Sequence, residues 1–121
     1  MKQSFVVSGT VIPGSNRGND LGAKTANLDI SLAQNLPRGL FACTVAFGGQ
    51  KYSGLLYHGY NSILKTDSLE VHLLDFNGDI YGETITVSTT KYLREEKIFQ
   101  SEKELKNQIA RDLKKAKNNP N

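Results

Sequence analysis

A chain of 121 residues with 38% hydrophobic side chains and a formal charge of +3 suffices for one domain with its own core and is too apolar for a disordered chain. It has no run of about 18 apolar residues, which argues against a membrane-spanning helix, and the stretch Met1 to Ser8 reads as strand rather than signal peptide. The single cysteine, Cys43, excludes an internal disulfide and fits a reducing cytoplasm.

In chain order, Val6, Val7, Thr10, Val11 and Ile12 form a β-prone stretch closed by Pro13-Gly14. Residues 13–22, rich in Gly, Asn, Asp, Ser and Arg, make a loop long enough to carry function. Thr25 to Leu32 reads as a short extended piece, Pro37-Arg38-Gly39 as a turn, and Leu40 to Phe47 as a strong strand. Cys43 within it reads as an inert core thiol. Gly48-Gly49 is a two-residue hairpin signal, making Tyr52 to Tyr57 the antiparallel partner. Asn61 to Ser68 is loop-like, Leu69 to Phe76 a strand, and Asn77-Gly78-Asp79 a turn. Tyr81 begins the next strand, and Thr84 to Thr90 continues it with β-branched residues.

The period then changes. Ser101 and Glu104 have capping-box spacing. Leu105, Ile109 and Leu113 recur every four residues, which predicts a helix of about 102–117 with one apolar stripe and a frayed tail at 118–121. Arg111, Lys114, Lys115 and Lys117 make its end basic. That suits the helix dipole. With no aromatics between the charges, it does not favour nucleic acid. Hairpin-linked strands with one terminal helix predict a single all-β domain over residues 1–121, a small closed antiparallel barrel with the helix packed on it.

Three segments carry candidate chemistry. The loop Gly14-Ser15-Asn16-Arg17-Gly18 precedes Thr25-Ala26-Asn27. Glycine amides can approach a phosphate closely, and Thr25 and Asn27 offer the neutral oxygens that Mg²⁺ prefers. The loop is neither a Walker A loop nor a dinucleotide fingerprint, so a plain surface loop stays open beside a phosphate cradle. In Leu69 to Phe76, alternation puts Glu70, His72, Leu74 and Phe76 on one side and Leu69, Val71, Leu73 and Asp75 on the other. Glu70 is then either a strand-end carboxylate facing water or a general base for a hydroxyl. His72 reads as a hydrogen-bonded half-buried histidine, and zinc is discounted because His58 is the sole other histidine. Leu93 to Phe99 is either a solvated connection or a ligand-facing flap, with Arg94 or Lys97 on an anion and Phe99 on a ring.

Taken in order, these segments resemble riboflavin kinase from about Phe5 to Ala116. The matching motifs are Gly9-Thr10-Val11, the Gly14 to Gly18 loop, Leu21-Gly22-Ala23-Lys24-Thr25-Ala26-Asn27-Leu28, Gly39-Leu40-Phe41, Gly59-Tyr60-Asn61-Ser62, Glu70-Val71-His72, Asp79-Ile80-Tyr81-Gly82 and Leu93 to Phe99. The resemblance implies a six-stranded Greek-key barrel with a C-terminal helix. It also implies transfer of a phosphoryl group from ATP to riboflavin, giving FMN and ADP. By the same resemblance Thr25 and Asn27 bind Mg²⁺ and the ATP phosphates, and Glu70 is the catalytic base. Gly14, Arg17 and Gly18 form the phosphate loop. Leu73, Asp75 and Tyr81 line the nucleotide site, and Arg94, Lys97 and Phe99 the flavin side. Ala23-Lys24, Asn19-Asp20, Ser62 and Glu95 depart from the family pattern, mostly where it has rigidifying prolines. The expected protein is a cytoplasmic monomer acting on riboflavin and ATP, with no nucleic-acid or membrane partner and no nucleotidyltransferase half. The alternative is a non-catalytic flavin- or nucleotide-binding paralogue of the same fold.

Overall fold

β-branched and aromatic residues recur along most of the chain, and each dense run of them becomes a strand. The structure, a computed structural model, describes residues 4–12, 24–61, 65–74, 76, 78–97 and 101–118. Its elements are β1 (Val6–Thr10), β2 (Lys24–Leu28), a 3₁₀ turn (Ile30–Ala33), β3 (Gly39–Phe47), β4 (Gln50–Asn61), β5 (Thr66–Leu73), β6 (Thr84–Arg94) and α1 (Glu102–Asn118).

Several boundaries differ from the sequence expectation, each for a local reason. The extended piece at 25–32 stops at Leu28, because the Asp29 carboxylate accepts from the Ser31 amide and caps the 3₁₀ turn. Asn61 and Thr66 to Ser68, expected in a loop, belong to strands, since β4 runs through Asn61 and β5 starts at Thr66. Tyr81 lies in a turn whose amide donates to Asp79 Oδ1, so β6 begins at Thr84. The Gly48-Gly49 hairpin is as expected: their φ values of 60° and 77° are those of a turn that pairs Phe47 with Gln50.

The strands form one six-stranded antiparallel sheet in the order β1-β6-β3-β4-β5-β2. The sheet curls, and its two ends meet at a bridge where the Ile12 amide donates to the Asn27 carbonyl at 2.8 Å. Among the described residues that bridge is the seam between the ends, so the architecture observed is a curled half-barrel rather than a fully laddered cylinder.

Both sides of the sheet's middle are covered. One side carries Ala26, Leu28, Phe41, Cys43, Val45, Leu56, Leu69, Val71, Leu73, Ile85 and Val87 in the main core. Each fully buried Val, Leu, Ile or Phe among them contributes about 1.5–3 kcal/mol. The other side carries a smaller cluster of Leu40, Leu55 and Leu74, covered by Ile109 of α1. This explains why β5 is buried continuously from Ser68 to Leu73 instead of alternating. Ser101 caps α1 by accepting from the Glu104 amide at 3.2 Å. The Leu105 and Leu113 side chains and the tail beyond Asn118 lie outside the described residues. Cys43 is the inert core thiol expected, its pKa pushed up to about 12 by burial.

Candidate active site

The helix-covered side of the sheet holds polar residues in neighbouring strands. Thr25 opposes His72 and Asn27 opposes Glu70 across the β2–β5 ladder. Tyr57 and Leu55 oppose Glu70 and His72 across β4–β5. Directly opposed residues in an antiparallel pair share a face, with Cβ atoms about 4.5–5.5 Å apart. The register therefore gathers Thr25, Asn27, Tyr57, Glu70 and His72 on one patch, opposite the main core.

The patch is nearly dry. Thr25 is 1% exposed, His72 4%, and Asn27 and Glu70 6% each. A carboxylate in such a place costs free energy unless it is hydrogen-bonded. Glu70 Oε2 accepts from Asn61 Nδ2 at 2.7 Å and from Ser68 Oγ at 2.6 Å. His72 Nδ1 lies 3.2 Å from Thr25 Oγ1, and Nε2 lies 3.9 Å from Glu70 Oε1. Burial lowers the His72 pKa from its usual value, although the Glu70 charge acts the other way. The imidazole is therefore neutral, and its approach to Glu70 is not an ion pair. The Tyr57 hydroxyl donates to the Tyr60 carbonyl at 2.8 Å. Its pKa is pushed up to about 12, first by burial and then by Glu96 and Glu70, so it stays protonated and cannot serve as a base.

Glu70 and His72 form part of the wall of a cleft that is partly open to solvent. Leu40, Leu55, Tyr57 and Ile109 supply apolar wall, and Asn61, Arg94 and Asp112 supply polar groups. Apolar walls with a few convergent polar groups suit a flat organic ligand. Arg94 holds Asp112 with two hydrogen bonds, at 2.6 and 3.2 Å, and Gln108 bridges from Asp112 to Lys97. On the far side of the same segment, Arg38 pairs with both Asp67 and Glu96, and Glu96 accepts from the Tyr60 amide at 2.9 Å. Gly59 makes that closure possible: a Cβ there would sit 2.8 Å from the Tyr57 hydroxyl and 2.9 Å from Glu96.

The structure thus brings Thr25, Asn27 and Glu70 together but separates other expected site residues from them. Leu73 is fully buried in the main core, on the opposite side of the sheet from Glu70. Tyr81 packs partly buried against that same core. Arg94 reaches the cleft, yet its guanidinium is committed to Asp112, and Lys97 is bonded to Gln108. These two residues tie the 93–97 segment to α1 instead of extending toward an anion. Gly14, Arg17, Gly18, Asp75 and Phe99 lie outside the described residues, as do Asn19, Asp20, Ala23 and Ser62. Sequence reasoning gave no role to Tyr57, Asn61, Ser68 or Asp112. Ser68 was within reach of the alternation rule, two residues before Glu70 in the same strand. Asn61 needed the β4–β5 register, and Asp112 needed the docking angle of α1.

Thr25 and Asn27 carry side-chain oxygens of the kind a magnesium ion takes. The Asn27 Nδ2 atom is buried with no hydrogen-bond partner. Leaving such an atom unmet costs about 1–3 kcal/mol. Nδ2 is a donor, so an acceptor such as a phosphate oxygen would remove that cost, whereas a cation would need the amide turned over to present its oxygen. The donors on offer are hard oxygens, the type Mg²⁺ takes alongside substrate phosphates.

Comparison with known proteins bears on the family and the fold. A family model described as flavokinase, riboflavin kinase, matches residues 1–119. The bifunctional riboflavin kinase/FMN adenylyltransferase of Buchnera aphidicola subsp. Schizaphis graminum is 40% identical over 116 residues, covering 90% of this chain and 36% of that protein. Its counterpart in Bacillus subtilis is 33% identical over 120 residues, covering 94% of this chain and 38% of that protein. A crystal structure of riboflavin kinase from Trypanosoma brucei shares the fold, with a TM-score of 0.61 at 23% identity over 97% of this chain and 80% of that one. The chain spans little more than a third of the length of these two curated relatives.

Proposed function

Because the chain belongs to the riboflavin kinase family, we propose that it transfers the γ-phosphoryl group of ATP to the 5′-hydroxyl of riboflavin, giving FMN and ADP. The observation that carries the reading is a buried, hydrogen-bonded carboxylate, Glu70, on the wall of a mostly apolar cleft, with Thr25 and Asn27 in the adjoining strand.

The chemistry divides among these groups. The apolar walls Leu40, Leu55, Tyr57 and Ile109 take the flavin ring and exclude water. Glu70 accepts the proton of the 5′-hydroxyl as that oxygen forms its bond to the γ-phosphorus and the bond from phosphorus to the ADP oxygen breaks. Thr25 and Asn27 would hold Mg²⁺, which when bound neutralises charge on the phosphates. Neutral His72 orients Thr25 through its Nδ1 contact. The bridge seen between the sheet's ends among the described residues is taken as the seam of a six-stranded Greek-key barrel, and the protein as a monomer in the cytoplasm. Among the described residues no helix is long and apolar enough to cross a membrane.

Incubation with riboflavin, ATP and Mg²⁺, followed by chromatography, should yield FMN. Glu70→Gln should lower kcat by about 10²–10⁴-fold, the usual worth of a general base. Flavin binding without FMN formation would instead indicate a non-catalytic binder of the same fold.

A further inference from the structure

The two oxygens of Glu70 have different surroundings. Oε2 receives two hydrogen bonds, from Ser68 Oγ at 2.6 Å and Asn61 Nδ2 at 2.7 Å. Oε1 faces the His72 ring, with Nε2 at 3.9 Å, beyond hydrogen-bond range. All three residues are buried: Ser68 is 8% exposed, Asn61 and Glu70 6% each. Asn61 and Glu70 line the cleft, whereas Ser68 does not and meets it only through Glu70.

The terminal torsion of a glutamate is soft, so a carboxylate held at neither oxygen swings among many orientations. Two donors converging on one oxygen remove that freedom, and bonds to an ionised acceptor are the strong ones. We infer that Ser68 and Asn61 are positioning residues that fasten Oε2 and so make Oε1 the oxygen that takes the proton of the acceptor hydroxyl. This rests on Glu70 being the base. Ser68 needs no contact with either substrate, which makes it the cleaner probe of the two.

The test is a double-mutant cycle in the full chain, read as kcat and as KM for riboflavin and for ATP. Ser68→Ala should lower kcat about tenfold or more, a modest case of the ~10²-fold penalty for misplacing a reacting group by an ångström. Both KM values should stay within about twofold, because the interaction lost acts in the transition state. Ser68→Thr, which keeps the hydroxyl, should recover most of the rate. In a Glu70→Gln background, Ser68→Ala should change kcat no further. Wild-type kcat in Ser68→Ala overturns the inference. An equal fall in both backgrounds, or a Thr variant as slow as the Ala variant, also overturns it. Full turnover in Glu70→Gln alone would instead remove the base reading, so the two failures are distinguishable. If Ser68→Ala does not fold, Asn61→Leu enters the same cycle and the same kcat criteria decide.

Discussion

Thr25 shows how much one hydroxyl can carry. It is 1% exposed, bonded to His72 Nδ1, and two residues from an asparagine whose amide nitrogen is unmet. Thr25→Val keeps the shape and strand preference but strands the His72 nitrogen without its partner. The expected cost is about 1–3 kcal/mol of stability, the price of one buried unsatisfied polar group. The same change should raise KM for magnesium-ATP, because an oxygen donor is lost. Thermal unfolding and a magnesium-ATP titration of the variant check the two effects separately. Glu70 illustrates the limit of reading residues singly. Its strand neighbours marked it as unusual, but not that two hydroxyl or amide donors would converge on one of its oxygens.

At the scale of elements, α1 completes the cleft. Ile109 closes the smaller apolar cluster, while Asp112, Gln108 and the 93–97 segment are bonded to one another through Arg94 and Lys97. Breaking one partner of a largely buried pair leaves the other uncompensated. Asp112→Ala should therefore loosen the helix and raise KM for riboflavin severalfold, with a smaller effect on KM for ATP. Comparable changes in the two would show that α1 does not form the flavin wall. The helix itself was readable from the spacing of Leu105, Ile109 and Leu113 and from Ser101. The strands were readable from β-branched runs, and the β3–β4 hairpin from its two glycines. Their ends were not, because Asp29 and Asp79 terminate them through side-chain bonds that compete with the ladder. Arg94 and Lys97 were expected at a ligand, since cations in a charged connection suggest an anion; Asp112 and Gln108 sit closer in the fold than in the chain.

Across the whole molecule, the loops flanking the site are fastened by charge. Arg38 binds Asp67 in β5 and Glu96 beyond β6, and both carboxyls are held below their ordinary pKa values, mainly by the guanidinium. A depressed folded-state pKa means that the unfolded chain binds more protons in that range. The stabilisation is complete above the ordinary carboxylate range and is lost as pH falls through the lowered values, below about pH 4. Thermal midpoints should therefore fall on acidification into that range, and Arg38→Leu should show a shallower acid dependence than the wild type. Added salt should weaken the contribution, because Arg38 and Asp67 are substantially exposed.

Local order in the chain was enough to mark out strands, one helix and a buried thiol, and to single out Thr25, Asn27 and Glu70 as candidates, because propensity, periodicity and donor chemistry are properties of short segments. The partners of those residues were settled by folding. Strand register set Asn27 against Glu70 and buried Leu73 on the far side of the sheet, since a side chain's face depends on pairing parity. The docking of α1 turned Arg94 from a free cation into half of an ion pair. Contacts between residues dozens of positions apart have no signature in spacing, and it is those contacts that enclose the cleft.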